Sequence, residues 1–378
     1  MTSAPLLARP RERTDVVIVG AGIVGLAHAV DAVRRGLSVV VVERDDHAVG
    51  ASVRNFGHGC FTAQDGPALD YALAARDAWV RLAKEAGFWL RECGTVVVAR
   101  ADDERAVLEE FRERRGDQVR LLDRAGVEAR VPVGEDAVAG AWLPLDIRVD
   151  PREAVHALAA WLAGRGVRFL WGTAALTIEP GLVRTGRGDV TAGAVVLAVG
   201  HDVDRHFPDL ADEAGVVRCA LQMVRVRAPL GRAVDPAVFS GFSLLRYRGF
   251  GGCPSLPAVR ARLEADHPDL VAAGLNLMLT QRPDGDLTLG DTHLYGRTLD
   301  PFSTEALDEA VLDQAARLLG TGPLKVVERW RGVYAAAPEH DFLVEAPAPG
   351  VRVVAVTSGV GMTTALGLAP RVLDDLLA

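Results

Sequence analysis

Lysine is almost missing from this chain of 378 residues: only Lys84 and Lys325 stand among 42 basic side chains. Arginine supplies the rest, a bias that fits codon composition and implies no function. No basic block occurs either, and the formal net charge is -8. Nucleic acid and anionic membrane surfaces are excluded as partners, because both demand a basic face. The four cysteines, Cys60, Cys93, Cys219 and Cys253, form no Cys-x-x-Cys pair. A zinc knuckle and a disulfide framework are therefore not expected; reduced thiols and a cytoplasmic setting are. No apolar run is long enough to span a bilayer, and the opening "MTSAPLLARPRERTD" has too short an apolar stretch for a signal peptide. Also lacking are a GxxxxGK[ST] phosphate loop, an HExxH pair and a GxSxG elbow. His201 and His206 are five apart, which suits neither a helical nor a strand metal pair, so no metal is expected. His28, on the first helical stretch, reads as structural. What remains is an ordinary globular balance, 49% hydrophobic and 24% charged, in a chain long enough for two domains.

The first motif is "VVIVGAGIVG" at 16–25. A buried strand over 15–19 meets Gly20, Gly22 and Gly25; Ile23, Leu26, Ala27, Val30 and Val33 then recur at helical spacing. Gly36 ends that helix, and "LSVVVVE" is a second buried strand ending at Glu43. The unit reads as a dinucleotide turn. Gly20 allows the tight turn, Gly22 lets the backbone approach a pyrophosphate, and Gly25 lets the helix pack on the strand. The helix start offers N–H groups and a positive dipole end to the anion. Glu43 is placed to accept from ribose hydroxyls.

A long connection, "VGASVRNFGHGCFTAQDG", follows and reads as functional. Helices are predicted over 67–87, 102–115, 304–319 and from Pro151, the last capped by Asp150 with Glu153 in a capping-box position. "GTVVVAR" and 192–200 read as strands, and 215–335 is dominated by strand-like segments with a proline-rich loop near 254–257. A strand at 351–357 leads into "SGVGMTTALGLAP", a glycine turn opening the last helix. The predicted class is α/β: a split, Rossmann-like FAD-binding domain (1–66, 148–212 and 340–378) and a mainly antiparallel substrate domain (67–147 and 213–339).

The ordered set "VVIVGAGIVGLAHA…RRGLSVVVVERD", "GAS", "VDP", "VVLAVG" and "VTSGVGMTTALGLAP" resembles the D-amino-acid-oxidase-like flavoproteins, which include glycine and sarcosine oxidases. The resemblance covers nearly the whole chain and implies FAD. It places the pyrophosphate on Gly20, Gly22, Ile23, Val24 and Gly25, and adenosine on Glu43 and Arg44. Ser52, Arg54, Asn55, Phe56 and Gly57, with Gly200, line the path to the flavin. Ser358, Gly359, Val360, Gly361, Met362, Thr363 and Thr364 meet its pyrimidine end. Sarcosine-oxidase relatives attach FAD to a cysteine at the position matching Gly332; non-covalent FAD is therefore expected, with His58 a conceivable histidyl attachment. The resemblance implies hydride transfer from an amine carbon to flavin N5, with hydrolysis of the imine and return of electrons to O2 as hydrogen peroxide; flavin N5 does the chemistry, and no catalytic residue is assigned.

The relatives' substrate-clamping arginine follows a "WxGxR" stretch, where "WRGVY" carries Tyr334 instead. "GASVRNFGHG", "AKEAGFWLRECG", "LLRYRGF", "LGDTHLYG" and "WRGVY" are similar to a narrower subgroup associated with aminophosphonate catabolism. The resemblance implies a small anionic amine, hydroxylated or N-methylated relatives of 2-aminoethylphosphonate first and a glycine- or sarcosine-like acid second, in an oxidase or a dehydrogenase. Tyr334, His58, Arg246, Arg248, His293, Tyr295 and Thr363 are candidate substrate donors, with Arg54 serving either substrate or FAD. Arg246 and Arg248 alternate along a predicted strand, which fits a shared substrate-facing side or a solvated face. His293 reads equally as a loop residue, and Trp330 reads as core. A non-catalytic FAD-binding subunit of a larger complex is the alternative of another class.

Overall fold

The structure, a computed structural model, describes residues 13–378; the opening on which the leader expectation falls lies outside them. The first unit is the expected one. Strand β1 (Arg13–Val19) leads into helix α1 (Ile23–Arg34) and strand β2 (Val39–Val42). Every residue of β2 is buried, as in parallel strands covered on both faces. β1 runs parallel to β2 on one side and to the strand Val190–Leu197 on the other. The far edge of Val190–Leu197 is shared. Its first residues pair with the hairpin strand Leu182–Thr185, and Val195 to Leu197 pair in parallel with Val351–Val356. The chain's two ends thus meet in one sheet of eight strands.

A second sheet of nine strands, mostly antiparallel, is built from Thr95–Ala99, the strands at 120–143, and the strands from Val217 to Ala336. Its longest ladder joins Val217–Arg227 to Lys325–Ala336 and sets Cys219 opposite Tyr334. A small sheet links the units, pairing His58–Gly59 and Leu90–Arg91 with Ile147–Val149.

The helical layer of the nucleotide unit has an extra member. Helix Gly66–Ala86 buries Ala68, Ala72, Ala75, Ala78 and Leu82, three or four apart, which makes one apolar stripe. The stripe packs into the same core as α1 and the last helix, Gly361–Leu377. Trp79 Nε1 donates to the Met362 carbonyl at 2.8 Å, and Gly367 lies so close to Tyr71 that a Cβ there would strike its carbonyl oxygen. The helix expected to open the substrate domain at residue 67 thus packs with α1 and the last helix.

Two further readings are corrected. "LLRYRGF" is not a strand: the helical turn Gly241–Leu244 is followed by a tight turn over Arg248–Phe250. The serine at its start, Ser240, forms a capping box with Ser243, which overrides the apparent alternation of arginines. Residues Leu256 and Pro257 open the helix Leu256–Asp266 instead of ending a loop, proline being suited to a first helical position. Among the described residues no helix is long and apolar enough to cross a membrane.

Candidate active site: a cofactor groove and an adjoining cavity

The first glycine turn borders a groove of about 550 Å³. Gly20 has φ +106°, and a Cβ there would collide with the Ala198 carbonyl oxygen; one at Gly25 would collide with that of Gly20. These two glycines serve backbone packing. Gly22 faces the groove, where a Cβ would meet only Ser52 Oγ, at 3.2 Å. The loop 49–59 covers the turn from above. Ser52 Oγ accepts from the Ile23 N–H at 2.8 Å, while Glu43 accepts from the Ala21 and Asp45 N–H groups at 2.7 and 3.1 Å. Glu43 thus shapes the turn as well as lining the groove.

The predicted cofactor residues divide. Gly20, Gly22, Ile23, Val24, Glu43, Arg44, Ser52, Arg54, Asn55, Phe56 and Gly200 line the groove, as do Gly359 to Thr363. Gly25 and Gly57 do not. Gly57 has φ +70° and packs against the Val149 carbonyl, to whose N–H its own carbonyl is bonded. Asn55 spends its side chain on the loop, donating to the carbonyls of Ala51 and Ser52 and accepting from the Gly57 N–H. Arg54 donates to the Arg331 carbonyl at 3.2 Å. Trp330, expected in the core, is only partly buried and donates to the Arg54 carbonyl at 3.0 Å. Arg44 bonds Asp202 at 2.6 Å; Asp202 also receives Arg205 and Arg218.

A second cavity of about 520 Å³ adjoins the groove, and Tyr247, Tyr334 and Val360 border both. Arg246 projects into it. Its Nη2 donates to the Ser358 carbonyl at 2.7 Å and to Tyr334 Oη at 3.3 Å. Its Nε donates to His293 Nε2 at 3.2 Å. Gly359, at φ +76°, lets the chain pass beneath: a Cβ there would lie 3.0 Å from the Tyr334 ring and 3.1 Å from Arg246 Nη2. Protein encloses Arg246, which keeps part of its surface open to the cavity. Among the described residues it makes no ion pair. An always-charged guanidinium in such a place is costly until an anion joins it.

The candidate donors are not equivalent. Tyr295 and Arg248 also border the second cavity, but Arg248 is exposed and pairs with Asp341 at 3.3 Å. The two arginines therefore share a cavity without sharing a strand face. His293 borders neither cavity. Its Nε2 accepts from Arg246, so Nδ1 carries the hydrogen and donates to the Gly274 carbonyl at 2.8 Å. Burial, with the Arg246 charge, pushes its pKa down to about 3; it holds Arg246 from behind as a neutral ring. His58 and Thr363 belong to the cofactor groove. The His58 ring edges onto Phe239 and its Nε2 meets Thr95 Oγ1 at 2.7 Å. Thr363 Oγ1 accepts from the Cys60 N–H at 3.2 Å. His28 is buried, bonded to the Val24 carbonyl, with a pKa lowered to about 4 by burial.

The family model for FAD dependent oxidoreductases matches residues 15–374. The chain belongs to that family. An opine oxidase subunit from Rhizobium meliloti is 29% identical over 215 residues, covering 51% of this chain and 58% of that protein. Gamma-glutamylputrescine oxidoreductase of Escherichia coli is 29% identical over 253 residues, 59% and 58%. The chain thus spans a little over half the length of each of these two. The crystal structure of glycine oxidase from Geobacillus kaustophilus superposes with a TM-score of 0.76 at 22% identity, over 97% of this chain and 94% of that one.

FAD is the cofactor of this family, and the groove suits it. Gly22 leaves the start of α1 open, where N–H groups without intrahelical partners can take a pyrophosphate. Glu43 stands beside it at the end of β2. At the other end, the start of helix Gly361–Leu377 points its dipole into the groove, where it can stabilise negative charge on a reduced ring. Gly332 borders the groove without a nucleophile. Cys60 is the one cysteine bordering it among the described residues, and burial pushes its thiol well up, which suppresses the thiolate that attachment needs. Acid precipitation of the purified protein should therefore leave the flavin in the supernatant; colour retained in the pellet would show a covalent link.

The sequence reading missed Asp146. Fully buried, it accepts from the N–H groups of Phe61 and Thr62 at 2.9 and 3.0 Å and from Thr95 Oγ1 at 2.6 Å. With His58 and Cys60 it forms a tight buried group, ligand atoms within 4.8 Å of one another, whose carboxylate oxygens are taken up by these donors. It pins the loop 57–62 beside the groove. His201 and His206, expected as surface residues, border the groove near Asp202. Nothing in local spacing signals either placement.

Proposed function

We propose that the protein oxidises the C–N bond of a small amine that carries an anionic group, with an aminophosphonate related to 2-aminoethylphosphonate as the first substrate. Bound FAD supplies the two-electron acceptor; water hydrolyses the resulting imine, and O2 takes the electrons to give hydrogen peroxide. The observation that carries this reading is Arg246, a guanidinium facing the second cavity with no ion-pair partner among the described residues. Tyr334, standing where relatives place a clamping arginine, adds one neutral donor beside it. Several donors around a cavity suit a three-oxygen anion better than one planar fork does. Tyr247, Tyr334 and Val360 border both spaces, which supports a bound amine lying next to the flavin, where positioning supplies most of the rate.

A glycine- or sarcosine-type amino acid is the second reading, favoured by the likeness to glycine oxidase. The names of the relatives that act on opines and gamma-glutamylputrescine also fit an amine joined to an acid. Anaerobic mixing with a panel of aminophosphonates and amino acids, following bleaching of the flavin, tests both. Bleaching by aminophosphonates, with colour and peroxide on admitting air, supports the first reading. Bleaching by glycine or sarcosine alone moves the assignment to the second. A yellow protein inert to the whole panel overturns both in favour of a non-catalytic subunit. Tyr334→Phe should slow flavin reduction about three- to tenfold, the worth of one neutral hydrogen bond, without loss of FAD. Unchanged kinetics would remove Tyr334 from the site.

A further inference from the structure

Asp291 lies behind Arg246 and has no part in the reading above. It is 4% exposed. Its Oδ1 accepts from Asn276 Nδ2 at 3.1 Å, and its Oδ2 is 4.0 Å from His293 Nε2, the atom that receives Arg246 Nε. Backbone bonds in both directions lock Asn276 to Asp291. A buried carboxylate thus stands one imidazole away from a buried guanidinium, and no cation reaches it directly among the described residues. We propose that Asp291 sets the charge the second cavity accepts: when an anion pairs with Arg246, Asp291 takes up one proton, so that the incoming charge replaces that of the acid instead of adding to it. The inference rests on Arg246 being the anion-holding group.

The surroundings leave few other places for that proton. The groups facing this cluster are Arg246 and Tyr247 from the turn after Gly241–Leu244, and His293 and Tyr295 from Asp291's own segment. Tyr334 and Cys219 face it from the long paired strands, and Cys60 from the loop at 57–62. His293 is held neutral down to about pH 3. Burial raises Tyr247, Tyr295 and Tyr334, pushes Cys219 up to about 11, and raises Cys60 well above its usual range. Of these groups only Arg246 stays charged throughout, Arg248 and Asp341 at the cavity being paired with each other, and only Asp291 changes charge near neutrality: burial lifts its pKa to about 7, against a downward pull from Arg246 and Asn276. An anion on Arg246 offsets that pull, so the acid's affinity for a proton rises on binding. Below pH 7 Asp291 is already protonated and anion affinity is flat. Above it, each anion bound must bring a proton, and affinity falls as pH rises.

The probe is ethanesulfonate, whose single charge does not titrate and which has no amine to oxidise. Its binding to the FAD-loaded protein is followed by perturbation of the flavin spectrum from pH 6 to 9. Calorimetry at pH 8 in two buffers of different ionisation heat counts protons. Uptake approaching one proton is expected, with Kd rising about tenfold per pH unit above 7.5. Asp291→Asn should bind with a pH-independent Kd and no uptake; should it fail to hold FAD, Asp291→Ser serves the same comparison. Binding by the wild type with no uptake and a flat profile overturns the proposal and leaves Arg246 as the anion site. A wild type that does not bind the anion, or an Arg246→Met variant that binds it equally well, overturns the anion reading and the proposal with it.

Discussion

Valine at position 22 is expected to give a folded, colourless protein. Gly22 has φ -72° and ψ 173°, a conformation open to any residue, and the first atom of a side chain would meet only Ser52 Oγ. The fold therefore tolerates the change. The two methyls beyond that atom would occupy the mouth of α1, where a pyrophosphate must reach backbone N–H groups. Overpacking costs about 1–3 kcal/mol and the displaced hydrogen bonds add to it, so FAD affinity should fall by at least ~100-fold. Circular dichroism unchanged from wild type, with no flavin carried through gel filtration, is the expected pair of results. Gly25→Val is the control. Its side chain would strike the Gly20 carbonyl, so that variant should lose the fold along with the flavin. A yellow Gly22→Val protein would show that the cofactor does not lie on this turn.

Arg246→Met should separate catalysis from stability in the opposite sense. Methionine keeps the volume of the arginine stem and removes a charge that no acid pairs with directly. Removing the unpaired buried charge is favourable, but it leaves the Ser358 carbonyl and His293 Nε2 without their donor, and the two effects oppose each other. Asp291, left without its nearby cation, can go neutral because its pKa is already raised to about 7. The melting temperature should change little, and FAD should be retained. The substrate's anion, in contrast, would enter a cavity with no cation on its inner wall. Loss of a charge-assisted contact in such a place costs about 3–5 kcal/mol, or roughly two to four powers of ten in kcat/KM. Loss of activity together with loss of flavin would assign Arg246 to cofactor binding, and full activity would remove it from the site.

The nucleotide half of the molecule was legible because its physics is local. Three glycines between two apolar runs, and a carboxylate at the end of the second, define a turn within some 30 residues. The last glycine turn is equally self-contained. The second cavity is assembled otherwise: Tyr334 meets Arg246 across 88 positions of sequence, and Ser358 meets it across 112. Candidate residues for it could be picked by type, and Arg246 was, but not their directions. Arg246 and Arg248 read as strand neighbours on alternation alone; the capping box of Ser240 and Ser243 that breaks the strand there emerged only from the structure. His293 read as a donor to substrate because nothing in sequence shows that its Nε2 is already accepting from an arginine. Asp146 and Asp291 escaped altogether. A lone aspartate carries no periodicity, and each gains its meaning only when distant segments close over it.

The groove for FAD is completed by Val360, Gly361 and Met362, yet it begins at Gly20. About 340 residues of synthesis separate the two ends. At about 5–20 residues per second, a nascent chain exposes its first glycine turn for on the order of tens of seconds before the opposing wall exists. The two walls of the groove therefore come together only once strand Val351–Val356 has joined the sheet beside Val195 to Leu197.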